Sequence, residues 1–523
     1  MNHYPLYKHL NIKSLKQLVQ WLSEESPNKT AFQYFEKNKV VSVSYKEFRQ
    51  DIEALGIFFH CRIPQKANIA VLGENSYDWI LTYFTVVIGS NIVIPIDKEL
   101  SDQEIAALLL RCEAKVLICS DSFMDTGQKL TETVKGLAVY NMKEYPSFLK
   151  KGQELLDDGF NSYWMNRINE NDVCSIIFTS GTTGEPKGVM LTQKSLMADT
   201  IASCENVYIS GTSLLTLPLH HTFAFTTGVL AMLVYKVPIC ISRSLRTFRT
   251  DMQVFKPQNM FLVPLYVENM YQTIWKTAKE QHKEQLLGLM IHLSNLLRKW
   301  KIDIRKRLFH SVHIQFGGNL DLLVCGGAFL EQKYIDGMED IGIQVLNGYG
   351  ITECSPVVAV NRNKDTKKGS VGLPLSCCDI RIVDGEICVK GDNVMTGYYH
   401  DNISTLEAVK DGWFRTGDLG YLDEDGFLFV TGRKKNLIIL SNGKNVSAEE
   451  LELRILGITG VREVVVSAEN GIITAEVFAE NETEIRTRIA TLNRELPSYK
   501  RIQKVKFRKS AFEKTTTQKI RRI

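Results

Sequence analysis

Two periodicities alternate along the N-terminal half, and this constrains the fold more than any other feature. Short apolar runs at 69–72, 92–96 and 115–119 alternate with stretches whose apolar residues recur at helical spacing. Leu15, Leu18, Val19 and Leu22 repeat in this way behind Ser14, with Gln17 completing a capping box. Ser44 and Glu47 form a second box before Phe48, Ile52, Leu55 and Phe59, and Ser101 and Glu104 cap a further helix. Strand–helix–strand order of this kind requires parallel strands joined by crossover helices. It resumes with strand-like runs at 174–178, 213–217, 238–242, 260–263, 322–325 and 344–346. The expected architecture is therefore α/β, with mostly parallel sheets covered by helices. At 523 residues the chain makes two to four domains of ordinary size.

Two regions depart from this rhythm. Residues 271–315 read as a helical insertion, and within Arg298–Arg307 the basic residues Arg298, Lys299, Lys301, Arg305, Lys306 and Arg307 stand against the single acid Asp303. A patch for anionic lipid or a phosphorylated ligand is one reading, and a solvated helix face is the simpler one. From about 378 to 433, short strand signals with Asp-Gly turns (Asp384-Gly385, Asp425-Gly426) predict a β-rich part. After Arg433 a small α+β unit is expected, opening with Ser447 and Glu450 as helix caps and ending in a basic tail. The domain boundary is placed there, giving units 1–433 and 434–523.

Composition excludes several classes. The net charge of +4 argues against a nucleic-acid binder. Eleven cysteines, with no CxxC pair and with Cys377 adjacent to Cys378, suit reduced, mostly buried thiols in a cytoplasmic protein. The first ten residues lack the pattern of a signal peptide. Residues 80–96 carry no charge, but Gly89-Ser90-Asn91 interrupts them, so they read as helix, turn and buried strand rather than a membrane span. His220 and His221, as neighbours, make a poor metal pair, and no HExxH or Cys/His cluster points to zinc.

The residues that carry chemistry point to a phosphate ligand. Phe178-Thr179-Ser180-Gly181-Thr182-Thr183-Gly184-Glu185-Pro186-Lys187-Gly188 follows a predicted strand. Its glycines admit a bulky anion to the backbone, and its four hydroxyls and Lys187 can donate to phosphate oxygens. The spacing is neither that of a Walker A loop nor that of a dinucleotide fingerprint. Gly326-Gly327-Ala328 and Asn347-Gly348-Tyr349-Gly350-Ile351-Thr352-Glu353 each follow another strand. They offer a close-approach wall, an aromatic face and a carboxylate for Mg²⁺. Asp418 suits ribose hydroxyls, and Arg433 suits phosphate charge.

Six motifs in order make the chain resemble the adenylate-forming superfamily of acyl-CoA synthetases, peptide-synthetase adenylation domains and luciferases. They are FTSGTTGEPKG (178–188), PLHHTFAF (218–225), NGYGITE (347–353), GWFRTGDLG (412–420), GRKKNLIILSNGKNVSAEELE (432–452) and KTTTQKIRR (514–522). The insertion before Phe316-Gly317-Gly318-Asn319 and the LLVCGGA string are similar to the long-chain acyl-CoA synthetase branch. The resemblance implies a large N-terminal domain and a small mobile C-terminal one. It implies that Thr179, Ser180, Gly181, Thr182, Thr183, Gly184 and Lys187 hold the β- and γ-phosphates of ATP. Gly327 and Tyr349 would flank adenine, Thr352 would touch the α-phosphate, and Glu353 would bind Mg²⁺. Asp418 and Arg433 would hold the ribose. His221 and Phe223 would lie between the nucleotide and the acyl pocket. Lys519 would serve adenylation, Lys435 would be the hinge, and Gly443 and Lys444 would sit in a loop that faces the thiol. Where many members carry Gly before the final lysine, this chain has Gln518.

The implied activity is an ATP-dependent acid:CoA ligase for a medium- to long-chain fatty acid. A separate acyl or peptidyl carrier protein as acceptor is the alternative, and a non-catalytic nucleotide binder is a third. The apolar residues around His221 (Phe223, Phe225, Val229, Leu230) suit an aliphatic chain or an aryl acid.

Overall fold

The computed structural model describes residues 5–7, 9–179, 186–440, 445–469, 472–514 and 520. The chain divides into two compact units. The first takes residues up to Lys368, Gly372–Asp379 and Lys390–Glu407. The second takes Gly369–Val371, Ile380–Val389 and the chain from Ala408 on. Compactness thus does not divide at 433. Trp413–Leu422 and Leu428–Arg433 pair as one antiparallel hairpin, Asp418 opposite Arg433, and the Ser447 hydroxyl donates to the Thr431 carbonyl at 3.1 Å, which ties this β-rich part to the residues that follow.

The first unit contains two large sheets. One has seven strands, in the spatial order Gly397–Tyr398, Lys187–Thr192, Val173–Thr179, Ile92–Ile96, Asn68–Leu72, Val116–Cys119 and Ala138–Asn141. Its middle and far strands run parallel, while Lys187–Thr192 is antiparallel to both of its neighbours. The other has nine, and five consecutive pairings from Gln344–Gly350 through Leu322–Cys325, Asn259–Leu262, Ser213–Leu215 and Ile239–Ile241 to Thr30–Glu36 are parallel. The expected α/β architecture is present. In such sheets ligands bind beyond the carboxyl ends of the strands. Here those ends lead into Gly326-Gly327 and the 347–353 string.

Local chemistry sets the helices. Ser44 with Glu47, and Ser101 with Glu104, make reciprocal capping boxes. The Ser14 box is half made: Ser14 accepts from the Gln17 amide, but the Gln17 side chain takes the Lys13 amide instead. Residues 80–96 form the helix Tyr77–Ile88, buried on nearly every side, followed by the strand Ile92–Ile96. Among the described residues, no helix is long and apolar enough to cross a membrane. All eleven cysteines are free thiols, nine of them buried.

The helical insertion begins at Pro264 and runs as Pro264–Glu280, Glu284–Lys299, Arg305–Leu308 and His310–Gln315. Its inner residues, among them Val267, Ile274, Leu287 and Phe309, pack into the same core as the strands Asn259–Leu262 and Leu322–Cys325.

The strands Cys378–Val383 and Glu386–Gly391, which lie in the second unit between Ile380 and Val389, turn on Asp384-Gly385, both at positive φ, and continue into the hairpin that carries Asp418. A small core of Val446, Leu451, Ile455, Val464, Val466, Ile473 and Val477 then joins the helices Ala448–Leu456 and Glu482–Glu495 to a three-stranded sheet.

Candidate nucleotide and acyl site

Two parallel strand ends build one wall of the candidate site in the first unit. Leu322–Cys325 and Gln344–Gly350 pair in register with Cys325 opposite Asn347. This sets the turn at Gly326-Gly327 beside Gly348-Tyr349. Gly327 lies at φ +86°, and a Cβ on Gly326 would stand 3.1 Å from the Phe223 ring.

Glu353 sits in the short 3-10 turn Thr352–Cys354, where the chain folds back into Val357–Val360. A Cβ on Gly350 would lie 2.2 Å from the Pro356 carbonyl oxygen, so only glycine permits this return. The Met395 amide donates to the Glu353 carbonyl at 2.8 Å. The Tyr398 hydroxyl donates to Glu353 Oε1 at 2.9 Å. Burial first, and then the Glu353 charge, push the Tyr398 phenol far above its ordinary pKa, so it remains a donor at every physiological pH.

Lys187 opens the strand Lys187–Thr192, opposite Thr179 at the end of Val173–Thr179. Its Nζ donates to Ser404 Oγ at 2.8 Å and lies 5.0 Å from the centre of the Tyr398 ring. Cation, aromatic face, phenol and carboxylate thus follow one another from Lys187 to Glu353. Ser180, Gly181, Thr182, Thr183 and Gly184, which link the two strands, lie outside the described residues.

An apolar cavity opens from the glycine wall. It encloses about 640 Å³ of empty space, its mouth included. Gly326, Gly327, Gly348, Tyr349 and Gly350 line one part of it, and Ser203, Val207, Ile209, Ala231 and Tyr235 another. Phe223 and Thr227 line it as well. Phe225, Val229 and Leu230 are instead packed inside the protein and are not lining residues. Thr227 belongs to the π-helical turn Thr226–Leu230, which the Thr226 hydroxyl ties to the Ser355 carbonyl at 2.9 Å. Wide turns of this kind often occur at functional sites.

His220 and His221 follow a segment clamped by Asn75. Its Nδ2 donates to the Leu217 carbonyl at 2.7 Å, and its Oδ1 accepts the Leu219 amide at 3.0 Å. The two imidazoles lie 4.2 Å apart. Burial, and then Lys98, lower the His220 pKa to about 4, so the ring is neutral and its 3.5 Å approach to Asp97 is not an ion pair near pH 7. His221 is not a lining residue of the cavity, whereas Phe223 is.

The second unit brings Asp418 and Arg433 together. Arg433 Nε lies 2.9 Å from Asp418 Oδ1; the carboxylate is buried and the guanidinium side chain is 44% exposed. The Thr416 hydroxyl accepts the Asp418 amide at 3.0 Å and donates to the Ile387 carbonyl at 2.8 Å. Nearby, buried Glu386 accepts the Gly417 amide at 3.1 Å and Lys434 Nζ at 2.9 Å. Lys435 is exposed, in the turn Lys434–Asn436. Gly443, Lys444 and Lys519 lie outside the described residues.

Among the described residues no three His, Cys, Asp or Glu side chains gather as a metal centre. Mg²⁺ commonly takes one or two carboxylates and completes its shell with water and phosphate oxygens. The partly exposed Glu353 fits that need as a single protein ligand. Two positioning residues were not evident from sequence. Tyr398 has a signal in Gly397-Tyr398-Tyr399, a glycine-aromatic run in the right stretch of chain. Asn75 has none beyond the preceding Gly73-Glu74.

The AMP-binding enzyme family matches residues 19–399. Long-chain-fatty-acid–CoA ligase FadD15 of Mycobacterium bovis is 31% identical over 409 residues, covering 74% of this chain and 68% of that protein. Long-chain-fatty-acid–CoA ligase 5 of Rattus norvegicus is 28% identical over 507 residues, covering 86% and 73%. The solved structure of O-succinylbenzoate CoA synthetase of Bacillus subtilis with ATP and magnesium ion superposes with a TM-score of 0.75 at 20% identity, covering 96% and 98%. With the motif order, the strand-end glycines and the Glu353 carboxylate held by Tyr398 already in place, these likenesses settle the family: the chain belongs to the AMP-binding enzymes, as an AMP-forming acid–thiol ligase.

Proposed function

We propose that the chain converts a medium- to long-chain fatty acid to its acyl-CoA in two steps. A carboxylate oxygen attacks the α-phosphorus of ATP, the bond to pyrophosphate breaks, and an acyl-adenylate forms. A thiolate of CoA then attacks the acyl carbon, and AMP leaves. The first step is needed because a carboxylate would otherwise have to expel oxide. The observation that carries the reading is the apolar cavity that begins at Gly327 and Tyr349, in the unit that holds Glu353 and Lys187. Its lining between Val207 and Tyr235 suits an aliphatic chain.

The residues take these roles. Lys187, with the hydroxyls of Thr179, Ser180, Thr182 and Thr183 and the backbone at Gly181 and Gly184, holds the β- and γ-phosphates. Gly327 and Tyr349 flank adenine, and Thr352 donates to the α-phosphate. Glu353 would hold Mg²⁺, which supplies charge neutralisation at the phosphates. Asp418 accepts from the ribose hydroxyls, and Arg433 orients that carboxylate. His221 and Phe223 border the acyl entry. Lys519 stabilises the charge that develops during adenylation. Lys435 is the hinge about which the C-terminal residues, from 434 on, move between the half-reactions, and Gly443 and Lys444 face the thiol. The free, mostly buried cysteines and the use of ATP support a cytoplasmic location. A substrate of low solubility supports peripheral contact with a membrane.

Acid-dependent ATP–pyrophosphate exchange tests the assignment. Lys519→Ala is expected to lose exchange by about 100-fold while thioester formation from supplied acyl-adenylate changes little. Normal exchange in Lys519→Ala removes the role of that lysine. CoA and a holo carrier protein compared side by side decide the acceptor, and faster transfer to the carrier replaces CoA in the reading.

A further inference from the structure

The helix Glu284–Lys299 has an apolar side that the protein does not cover. Its inner residues Leu287 and Ser294 are buried, with Met290 and Ile291 packed against the same core. On a different face, Leu286, Leu289, Leu293 and Leu296 are exposed, at 50%, 65%, 47% and 48%, and Trp300 just beyond the helix is 76% exposed. Their spacing of three and four residues puts them within about 80° of arc at 100° per residue. Gln285, His292, Asn295 and Lys299 fill the arc on the other side of the stripe. Five large apolar side chains in one continuous line differ from the scattered single exposures that folded proteins tolerate.

Charge identifies the occupant. At the Trp300 end of the stripe, Arg298, Lys299, Lys301, Lys306 and Arg307 are exposed. Arg305 is bound to Asp303 at 2.7 Å, and Lys306 approaches Asp321 at 2.5 Å. A second copy of the chain fits poorly. Parallel pairing would lay the cationic end on itself, and antiparallel pairing would lay it on residues 276–284, which carry three lysines against two glutamates. An anionic bilayer surface meets both features: leucines and an indole enter the interface, and the cations meet the headgroups.

We propose that the helix Glu284–Lys299, with Trp300 and the cations after it, docks this protein on the surface of anionic lipid bilayers. This deepens the peripheral contact proposed above and rests on it. The full chain would be sedimented with vesicles of phosphatidylglycerol and phosphatidylcholine, and with vesicles of phosphatidylcholine alone, at low and high salt. Binding is expected to the anionic vesicles, weakening with salt. The L289S/L293S variant is expected to lose at least ten-fold in affinity, and K299Q and K301Q about five-fold each. All are expected to keep wild-type AMP formation with a short soluble acid, which also reports that they are folded. Wild-type protein that ignores anionic vesicles overturns both the contact and this surface. Unchanged binding by both kinds of variant overturns the surface and leaves the contact standing. A wild-type dimer that L289S/L293S converts to a monomer assigns the stripe to a second copy instead.

Discussion

Glu353 and Asp418 are both acids placed by strand geometry, and they are held in opposite ways. Glu353 receives a neutral phenol at 2.9 Å and is partly exposed. Asp418 is buried and lies 2.9 Å from a guanidinium. A hydrogen bond from a neutral donor fixes a carboxylate and leaves its charge intact. A guanidinium neutralises the charge and leaves lone pairs that can still accept. The first arrangement suits a cation and the second suits neutral hydroxyls. The environment around each carboxylate, more than the residue type, thus separates the proposed roles.

The largest effect should come from removing the intact charge. Glu353→Gln keeps an acceptor for Tyr398 but should lower acid-dependent pyrophosphate exchange by about 100-fold or more, with a higher Mg²⁺ requirement. Exchange within about three-fold of wild type would erase the contrast.

Asp418→Asn should raise the KM for ATP by about ten-fold, with a smaller change in kcat. Arg433→Ala should raise that KM too, and should also lower the melting temperature by several degrees. It removes the guanidinium beside a buried carboxylate, whereas the half-exposed arginine is easily rehydrated when Asp418 is replaced. Equal melting temperatures for the two variants would show that the pair is not organised in this way.

Tyr398→Phe should be milder. It removes one hydrogen bond to a charged group, leaves the ring that faces Lys187, and should cost about five- to ten-fold in exchange rate. Excess Mg²⁺ should recover part of the loss.

A third carboxylate sharpens the comparison by being surrounded by acids. Burial, and then the charges of Asp51 and Glu36, raise the Asp78 pKa to about 6. A group raised in this way favours the folded state when protonated, and that contribution is lost as pH rises through about 6. Asp78→Asn should therefore raise the melting temperature at pH 8 by about 2–5 °C, and the difference should close as pH falls below about 4. A difference that does not depend on pH would contradict the assignment.

Much of the candidate site was legible because it is local. Glu353, Asp418, Lys187 and Gly327 each lie in a string whose glycines and strand context already suggest a ligand. The alternation of periods likewise gave the parallel strands and the helix–turn–strand reading of 80–96. What was not legible is non-local. Tyr398 reaches Glu353 across 45 residues, and Asn75 clamps residues 217–219 from more than 140 residues away. The hairpin Thr30–Glu36 and Lys39–Ser44 turns on Lys37 at positive φ with no glycine, so it lacked the usual turn signal. The grouping of 408–433 with the C-terminal residues depends on contacts such as the hydrogen bond from Ser447 to Thr431. The insertion's basic residues were visible in sequence. Its leucine stripe was not, because helical periodicity cannot tell a core-facing leucine such as Leu287 from a solvent-facing one such as Leu289.

The most direct test is AMP formation from ATP across acids from acetate to oleate, with benzoate-type acids alongside, with and without CoA. The account predicts CoA-dependent turnover that peaks among medium- to long-chain fatty acids. A peak at acetate or at an aryl acid, or acyl-adenylate that accumulates without stimulation by CoA, would contradict it.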